Sequence, residues 1–151
     1  SVIAEDTTAF FDLPGDSPYM LLIADVVENR RKSLPFDYYD LPLFDKLYTP
    51  RSDVQSITHL DFSARIQTVH RDTNPRYHRL ISRFKEKTGY GIIVNTSFNV
   101  RGEPIVCTPQ DAFRCFMHTD LDLLVIGNSM IWKDQQNVSI ASLKSPMGGA
   151  D

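Results

Sequence analysis

Residues 74–89 carry the pattern of a helix with both of its ends marked. Asn74 is a favourable N-cap, and Pro75 fits the first helical position because its missing N–H would be unpaired there anyway. Gly89 can adopt the left-handed conformation that ends many helices. Between these ends, apolar side chains recur at the spacing of one helical face, namely Tyr77, Leu80, Ile81 and Phe84. A segment this clearly helical constrains the fold, because its apolar face must pack on another layer.

The segments around this helix alternate between strand and helix patterns. Strands are predicted over 19–26, 64–69, 90–95, 121–127 and 129–133, and further helices over 4–11 and from Thr108 onward. The run 19–26 is continuously apolar, as expected of a strand covered on both faces. Residues 28–50 hold three prolines among aromatic and charged residues and predict an irregular excursion. This order predicts an α/β sandwich with a mixed sheet flanked by helices.

Charge and composition exclude several classes of protein. The net charge is −3, and Lys and Arg are scattered, so no basic stripe marks a nucleic-acid site. No apolar run approaches the ~18 residues of a membrane span. Two cysteines, Cys107 and Cys115, make neither a disulfide framework nor a common metal motif. A cytoplasmic location without nucleic-acid or membrane partners is the resulting expectation.

The two ends of the sequence differ in character. The chain enters an amphipathic pattern at its first residues, which suggests a piece cut from a longer polypeptide. Residues 134–151 lose periodicity and close with Pro, Gly and Ala, which predicts a flexible tail. We therefore expect one domain over 1–133, followed by this tail.

A cluster of uncharged polar residues follows the apolar run 90–95. Asn95, Thr96, Ser97 and Asn99 fall within five positions. Ligands of open α/β sheets bind beyond the carboxyl ends of strands, and neutral amides and hydroxyls can donate to phosphate or carbonyl oxygens. The alternative is that these side chains only cap local turns. Four such residues at a strand end slightly favour a binding site.

Arg65 is the second candidate. It lies in an apolar strand, and Arg is the residue that captures carboxylate or phosphate through two parallel hydrogen bonds. An edge-strand Arg paired with Asp61, or simply solvated, explains it equally well. His59 and Gln67 flank it, but a lone His-x-Asp at 59–61 lacks a third ligand for a metal. No glycine-rich phosphate loop of the common types is present.

Three longer motifs carry a family resemblance. The segments THLDFSARIQTV, GYGIIVNTSFNVRGEPIVCTPQDAF and TDLDLLVIGNSMIWK, in this order, closely resemble the C-terminal region of the carbamoyltransferase family, which includes nodulation and antibiotic-tailoring O-carbamoyltransferases. The resemblance covers roughly residues 1–133. The middle motif is long and therefore more specific than any short pattern above.

The resemblance implies a fold, a reaction and a set of ligand contacts. This region would be part of a YrdC-like domain, incomplete at its N-terminus, that binds carbamoyl phosphate and ATP as substrates and forms carbamoyl-adenylate. An N-terminal domain of actin-like ATPase fold, with a bound Fe or Mg ion, would then carbamoylate a hydroxyl of a small-molecule acceptor. By position in the motifs, Arg65, Asn95 and Ser97 would bind substrate. The same argument extends to Thr68, Gln67 and His59.

Departures from the family pattern limit what this chain alone can do. A basic segment that supplies further cationic ligands in the family lies upstream of the region matched here, and Phe62-Ser63-Ala64 replaces a smaller Gly-Thr-type stretch. We therefore expect the isolated chain to be catalytically silent. Two other functions stay open: a non-catalytic nucleotide- or phosphate-binding regulatory module, and a structural domain whose Asn/Ser loop only caps a strand.

Overall fold

Short β-strands pair two by two along this chain. The computed structural model describes residues 1–137. The strands there are β1 (Val2–Ile3), β2 (Leu22–Asp25), β3 (Ser63–Ile66), β4 (Thr68–Val69), β5 (Leu123–Ile126) and β6 (Ser129–Trp132). The helices are α1 (Thr7–Phe10), α2 (Leu43–Tyr48), α3 (Pro75–Thr88) and α4 (Pro109–Met117). β1 pairs with β4 in parallel, whereas β2–β3 and β5–β6 are antiparallel pairs.

The chain divides into two units, Ser1–Asn95 and Thr96–Asp151. The first unit has one cluster of buried side chains formed by Val2, Phe10, Phe11, Leu13, Val26, Val54, Ala64, Ile66 and Ile92. A second cluster, of Ile3, Val69 and Ile81, joins α3 to β1 and β4. In the second unit, α4 packs on β5 through Ala112, Phe116, Met117 and Leu124. Within residues 1–137 no helix is both long and apolar enough to cross a membrane.

The helix predicted over 74–89 and the start of the helix predicted from Thr108 onward are both confirmed. Asn74 accepts a hydrogen bond from the N–H of Tyr77, and Gly89 closes α3 at a φ of 83°. Thr108 and Asp111 form a reciprocal capping box at the start of α4, whose buried face includes Cys115. Local capping chemistry is sufficient to fix both boundaries.

The prediction of a fully covered strand over 19–26 is wrong. The strand begins only at Leu22, because Met20 takes a left-handed backbone conformation with φ at 57°. Leu22 and Ile23 are both exposed, so neither face of β2 is covered at its start by the described residues. The side chains of Leu22 and Ile23 are therefore open to solvent, whereas Ala24 packs against a cluster of buried residues.

The predicted strand over 90–95 is also wrong. Among residues 1–137, only one bridge forms there, between Val2 and Ile92, with hydrogen bonds from Ile3 N to Gly91 O (3.1 Å) and from Ile93 N to Ser1 O (2.9 Å). The neighbouring extended segment turns into a 3₁₀-helix at Ala4–Asp6, so it offers too few residues for a longer ladder. Gly91 also brings the two segments close, since a Cβ there would lie 2.1 Å from Asp6 Oδ2.

The fold class is confirmed in its coarse form. The chain is mixed α/β, and its strands in the described part form three two-stranded sheets rather than one larger sheet. The strands predicted over 121–127 and 129–133 form the antiparallel pair β5–β6, with Leu123 opposite Trp132. Most of the tail predicted over 134–151 lies outside the described residues.

Candidate functional site

Arg65 and Asn95 line one small recess of the first unit. Arg65 stands between the buried residues Ala64 and Ile66 of β3, so strand alternation directs its side chain to the opposite, exposed side. The recess has a volume of about 30 Å³ and is also lined by Val2, Phe11, Met20 and Ile57. That volume admits one water molecule. A larger ligand would have to lie across its mouth.

The Arg65 guanidinium is available to a ligand. It makes no ion pair or hydrogen bond with any residue in the described part of the chain. Asp61, the partner suggested by the sequence, instead accepts hydrogen bonds from the backbone and hydroxyl of Ser63, at 3.0 and 2.7 Å. An exposed cation beside an apolar recess is suited to bind an anion at the surface.

Gln67 fastens Asn95 to the strand segment that carries Arg65. Its Oε1 accepts from Asn95 Nδ2 at 2.7 Å and from Ser1 Oγ at 2.8 Å, and its Nε2 donates to Pro18 O at 3.1 Å. All functional groups of this amide are therefore engaged in holding chain segments together. In this arrangement Gln67 positions Asn95, and it would contact a ligand only after breaking one of these bonds.

Asn95 presents an acceptor rather than a donor. Its Nδ2 donates to both Gln67 and Ser1 Oγ, the latter at 3.1 Å. Its Oδ1 has no hydrogen-bond partner among residues 1–137. An amide oxygen repels phosphate but accepts readily from an N–H group. Any ligand that touches both Arg65 and Asn95 should therefore carry an anionic end and an N–H end.

Thr68 lies beside a different cavity. Its side chain is buried, and its hydroxyl accepts from Ser17 N at 2.9 Å. Together with Gln67 it lines a pocket of about 620 Å³ that also contains Asp16, His70 and Asp72. Asp16 Oδ1 lies 3.2 Å from His70 Nε2. Two carboxylates make this larger pocket an unfavourable place for phosphate.

His59 belongs to a tight turn that ends in β3. Its Nδ1 lies 3.0 Å from Ser63 Oγ, which in turn donates to Asp61. Because the single Ser63 proton goes to Asp61, the contact between His59 and Ser63 requires a proton on His59 Nδ1. The hydrogen bonds from Ser63 hold the pKa of Asp61 below its usual value. His59 is not among the residues that line the recess of Arg65 and Asn95.

Ser97 and Asn99 belong to the second unit. Ser97 is exposed, and its hydroxyl has no partner within residues 1–137. Asn99 Nδ2 donates to the carbonyls of Val100 (3.1 Å) and Glu103 (2.9 Å), as local turn capping requires. The polar cluster thus divides between a residue fastened to the first unit, a free hydroxyl and a loop-forming amide.

Sequence reasoning gave no sign of the buried Arg51. This side chain is only 3% exposed, and its guanidinium donates to backbone carbonyls of Thr49, Thr58 and His59, among others. It lies after a segment rich in proline and charged residues, where an arginine is ordinarily expected to be exposed to solvent. Its bond to the His59 carbonyl supports the turn that leads into β3.

The described residues show no metal site. Within 1–137 no three His, Cys, Asp or Glu side chains come together as ligands. Cys107 and Cys115 are free thiols, and burial raises the pKa of Cys115.

Comparison with known proteins assigns the chain to a family. The family described as Carbamoyltransferase C-terminus matches residues 1–133. The chain belongs to this family. The resemblance noted in the sequence motifs is thereby confirmed.

Individual relatives are much longer than this chain. A protein of Synechocystis is 54% identical over 136 residues, which is 90% of this chain and 22% of the relative. The nodulation protein NolNO of Sinorhizobium fredii is 38% identical over 133 residues, or 88% of this chain and 17% of the relative. A 3'-hydroxymethylcephem-O-carbamoyltransferase of Streptomyces clavuligerus is 34% identical over 104 residues, or 68% of this chain and 20% of the relative. The chain thus spans about a fifth of the length of these relatives.

Proposed function

We propose that this chain is the C-terminal part of an O-carbamoyltransferase. The domain that contains it binds carbamoyl phosphate and ATP and forms carbamoyl-adenylate, and an N-terminal domain of actin-like ATPase fold passes the carbamoyl group to a hydroxyl of a small molecule. The family match over residues 1–133 and the activity named for the cephem-modifying relative support the reaction class. The YrdC-like character of the complete domain and a metal ion in the N-terminal domain belong to the same proposal.

The observation that carries the proposal is the shared recess of Arg65 and Asn95. Carbamoyl phosphate has a phosphate at one end and an NH₂ group at the other. The guanidinium of Arg65 suits the phosphate and the Oδ1 of Asn95 suits the NH₂, since neither has a partner within residues 1–137. The ligand lies across the mouth of the recess, because the recess itself holds no more than a water.

The chemistry that follows is mainly electrostatic. Carbamate, released from carbamoyl phosphate by hydrolysis, attacks the α-phosphorus of ATP through an oxygen. A carbamate O–P bond forms, and pyrophosphate leaves. Arg65 offsets phosphate charge during these steps, which is the main task of a protein in phosphoryl and nucleotidyl transfer. Ser97 belongs to the proposal only through its position in the family motif, and its hydroxyl has no partner within residues 1–137.

The test is an isotope-exchange assay on the full-length protein. It should exchange labelled pyrophosphate into ATP only when carbamoyl phosphate is present. Arg65→Ala should lower this exchange at least tenfold, while Arg83→Ala, which removes an exposed arginine paired with Glu86, should leave it unchanged. Binding of carbamoyl phosphate without any exchange would favour the regulatory phosphate-binding module instead. Equal exchange in wild type and Arg65→Ala would refute the site.

A further inference from the structure

Residues 32–51 form a closed loop with an unusual surface. An antiparallel bridge between Arg31 and Ser52 closes its base, and Lys32 N donates to Arg51 O at 2.7 Å. We call residues 32–51 the aromatic loop. It contains a 3₁₀-helix at Tyr38–Asp40 and the helix α2.

Two buried side chains, Arg51 and Tyr38, support the aromatic loop from within. The buried guanidinium of Arg51 donates to carbonyls at the C-terminal end of α2 (Lys46 and Leu47) and of Thr49. The carbonyls of Lys46 and Leu47 lie at the negative end of the dipole of α2, and they offset the positive charge of the guanidinium. Tyr38 is buried as well. Its ring makes a T-shaped contact with the ring of Tyr39, and the two ring centroids are 5.4 Å apart. These contacts support the loop from within the chain itself.

The helix α2 in this loop exposes its apolar face to solvent. Leu43, Phe44, Leu47 and Tyr48 are all exposed, and at 3.6 residues per turn they fall within an arc of about 140°. The polar residues Asp45 and Lys46 occupy the rest of the helix, and Lys46 is half-buried, donating to Tyr39 O. A surface helix normally turns its apolar face to the core and its charges to solvent. Here the arrangement is reversed.

Neighbouring aromatic residues add to this surface. Phe36 is fully exposed, Tyr39 is 77% exposed and Tyr48 is 81% exposed. Soluble monomers seldom expose large apolar side chains in such number within one short segment, and doing so marks an interaction site. Aromatic side chains have only two rotatable side-chain bonds, so they lose little conformational entropy on docking.

We propose that the aromatic loop docks on the part of the full-length polypeptide that lies outside this chain. The inference rests on the proposed function, from which it takes that the chain is one part of a longer carbamoyltransferase. Relatives extend over about four to five times its length, so most of such a polypeptide is available to cover the loop. A tethered partner also has a high effective concentration, which a second copy lacks.

The charges on the loop define the partner surface. Asp37, Asp40 and Asp45 accompany the exposed rings. The complementary surface is an apolar groove that accepts Phe44 and Tyr48, with Lys or Arg side chains at its rim.

Hydrogen exchange compares the loop in two forms of the protein. In the full-length protein, amides of residues 32–51 should exchange at least tenfold more slowly than in the 151-residue chain. Tyr48→Lys in the full-length protein should abolish this slowing. Leu80→Lys, at an exposed apolar position of α3 outside the loop, should not. Circular dichroism of each variant confirms that the fold is retained, and Phe44→Lys repeats the test at a second ring.

Two results would overturn the proposal. Equal exchange of the loop in both forms would show that nothing in the longer polypeptide covers it. Protection in the 151-residue chain that rises with protein concentration would assign the surface to a second copy instead. Neither result involves carbamoyl phosphate, so failure here is distinct from failure of the isotope-exchange assay for the proposed function.

Discussion

Arg51 illustrates how this chain buries a charge without a carboxylate. Within residues 1–137 its guanidinium donates only to backbone carbonyls, which would become unpaired if the side chain were shortened. We expect Arg51→Met to lower the free energy of unfolding by about 3 kcal/mol. Arg83→Met, which removes an exposed ion-paired arginine, should change it by less than about 0.5 kcal/mol. Urea titrations of the two variants give the comparison; similar small losses in both would mean that the buried bonds matter little.

Asn95 should decide between carbamoyl phosphate and acetyl phosphate. The two ligands share the phosphate that Arg65 would bind, but only the carbamoyl group has N–H donors for Asn95 Oδ1. Wild-type full-length protein should therefore bind carbamoyl phosphate roughly tenfold more tightly than acetyl phosphate. In Asn95→Ala this preference should fall to about twofold or less. A preference that survives the substitution would remove Asn95 from the carbamoyl end of the site.

Asp61 gives the turn at His59 a dependence on acid. Because hydrogen bonds from Ser63 depress the pKa of Asp61 in the folded chain, its stabilising effect is fully present above the unfolded pKa, about 4. The effect is lost as the pH falls through the lower folded value. Thermal unfolding of wild type and Asp61→Asn should thus differ by a constant amount from pH 7 to 5, and the difference should shrink below pH 4. A difference that persists unchanged at pH 2.5 would contradict this assignment.

At the scale of secondary-structure elements, sequence reasoning succeeded where the signals are local. The ends of α3 and α4 follow from Asn74, Gly89 and the Thr108–Asp111 pair, each of which acts on its own neighbouring backbone. The strand prediction over 90–95 was wrong because a strand also needs a partner of adequate length, and apolar composition does not show whether one exists. The sequence also did not predict the hydrogen bonds inside the aromatic loop, because those of Arg51 reach carbonyls up to eight residues away.

The capping box of α4 offers a test at this scale. Thr108 accepts from the N–H of Asp111, and Asp111 accepts from the N–H of Thr108. Thr108→Ala should reduce the free energy of unfolding by about 1 kcal/mol. Thr108→Ser keeps the hydroxyl and should cost only a few tenths of that. If Ser and Ala prove equally destabilising, the methyl group rather than the cap is responsible.

For the whole molecule, the motifs identified the family, but spacing along the chain does not show which of the predicted ligand residues come together. Of the six predicted ligand residues, Arg65 and Asn95 line one recess, and Gln67 holds Asn95 there. Thr68 and His59 are engaged elsewhere in the first unit, and Ser97 belongs to the second unit. These outcomes depend on tertiary hydrogen bonds between distant segments, which no periodicity in the sequence encodes.

The 151-residue chain alone should be inactive. The negative charges of ATP and carbamoyl phosphate together require more cationic partners than the exposed Arg65 supplies at the recess. We expect no pyrophosphate exchange from the isolated chain at concentrations where the full-length protein is active. Exchange by the isolated chain that depends on carbamoyl phosphate would contradict this expectation.

Calorimetric titration with carbamoyl phosphate tests the central claim most directly. In the full-length protein, Arg65→Ala should weaken binding by about tenfold to a hundredfold, as expected for the loss of a charge-assisted contact of ~1.5–3 kcal/mol. Arg83→Ala is the matched control and should bind as wild type does. Unchanged affinity in Arg65→Ala would show that the recess shared by Arg65 and Asn95 is not where carbamoyl phosphate binds.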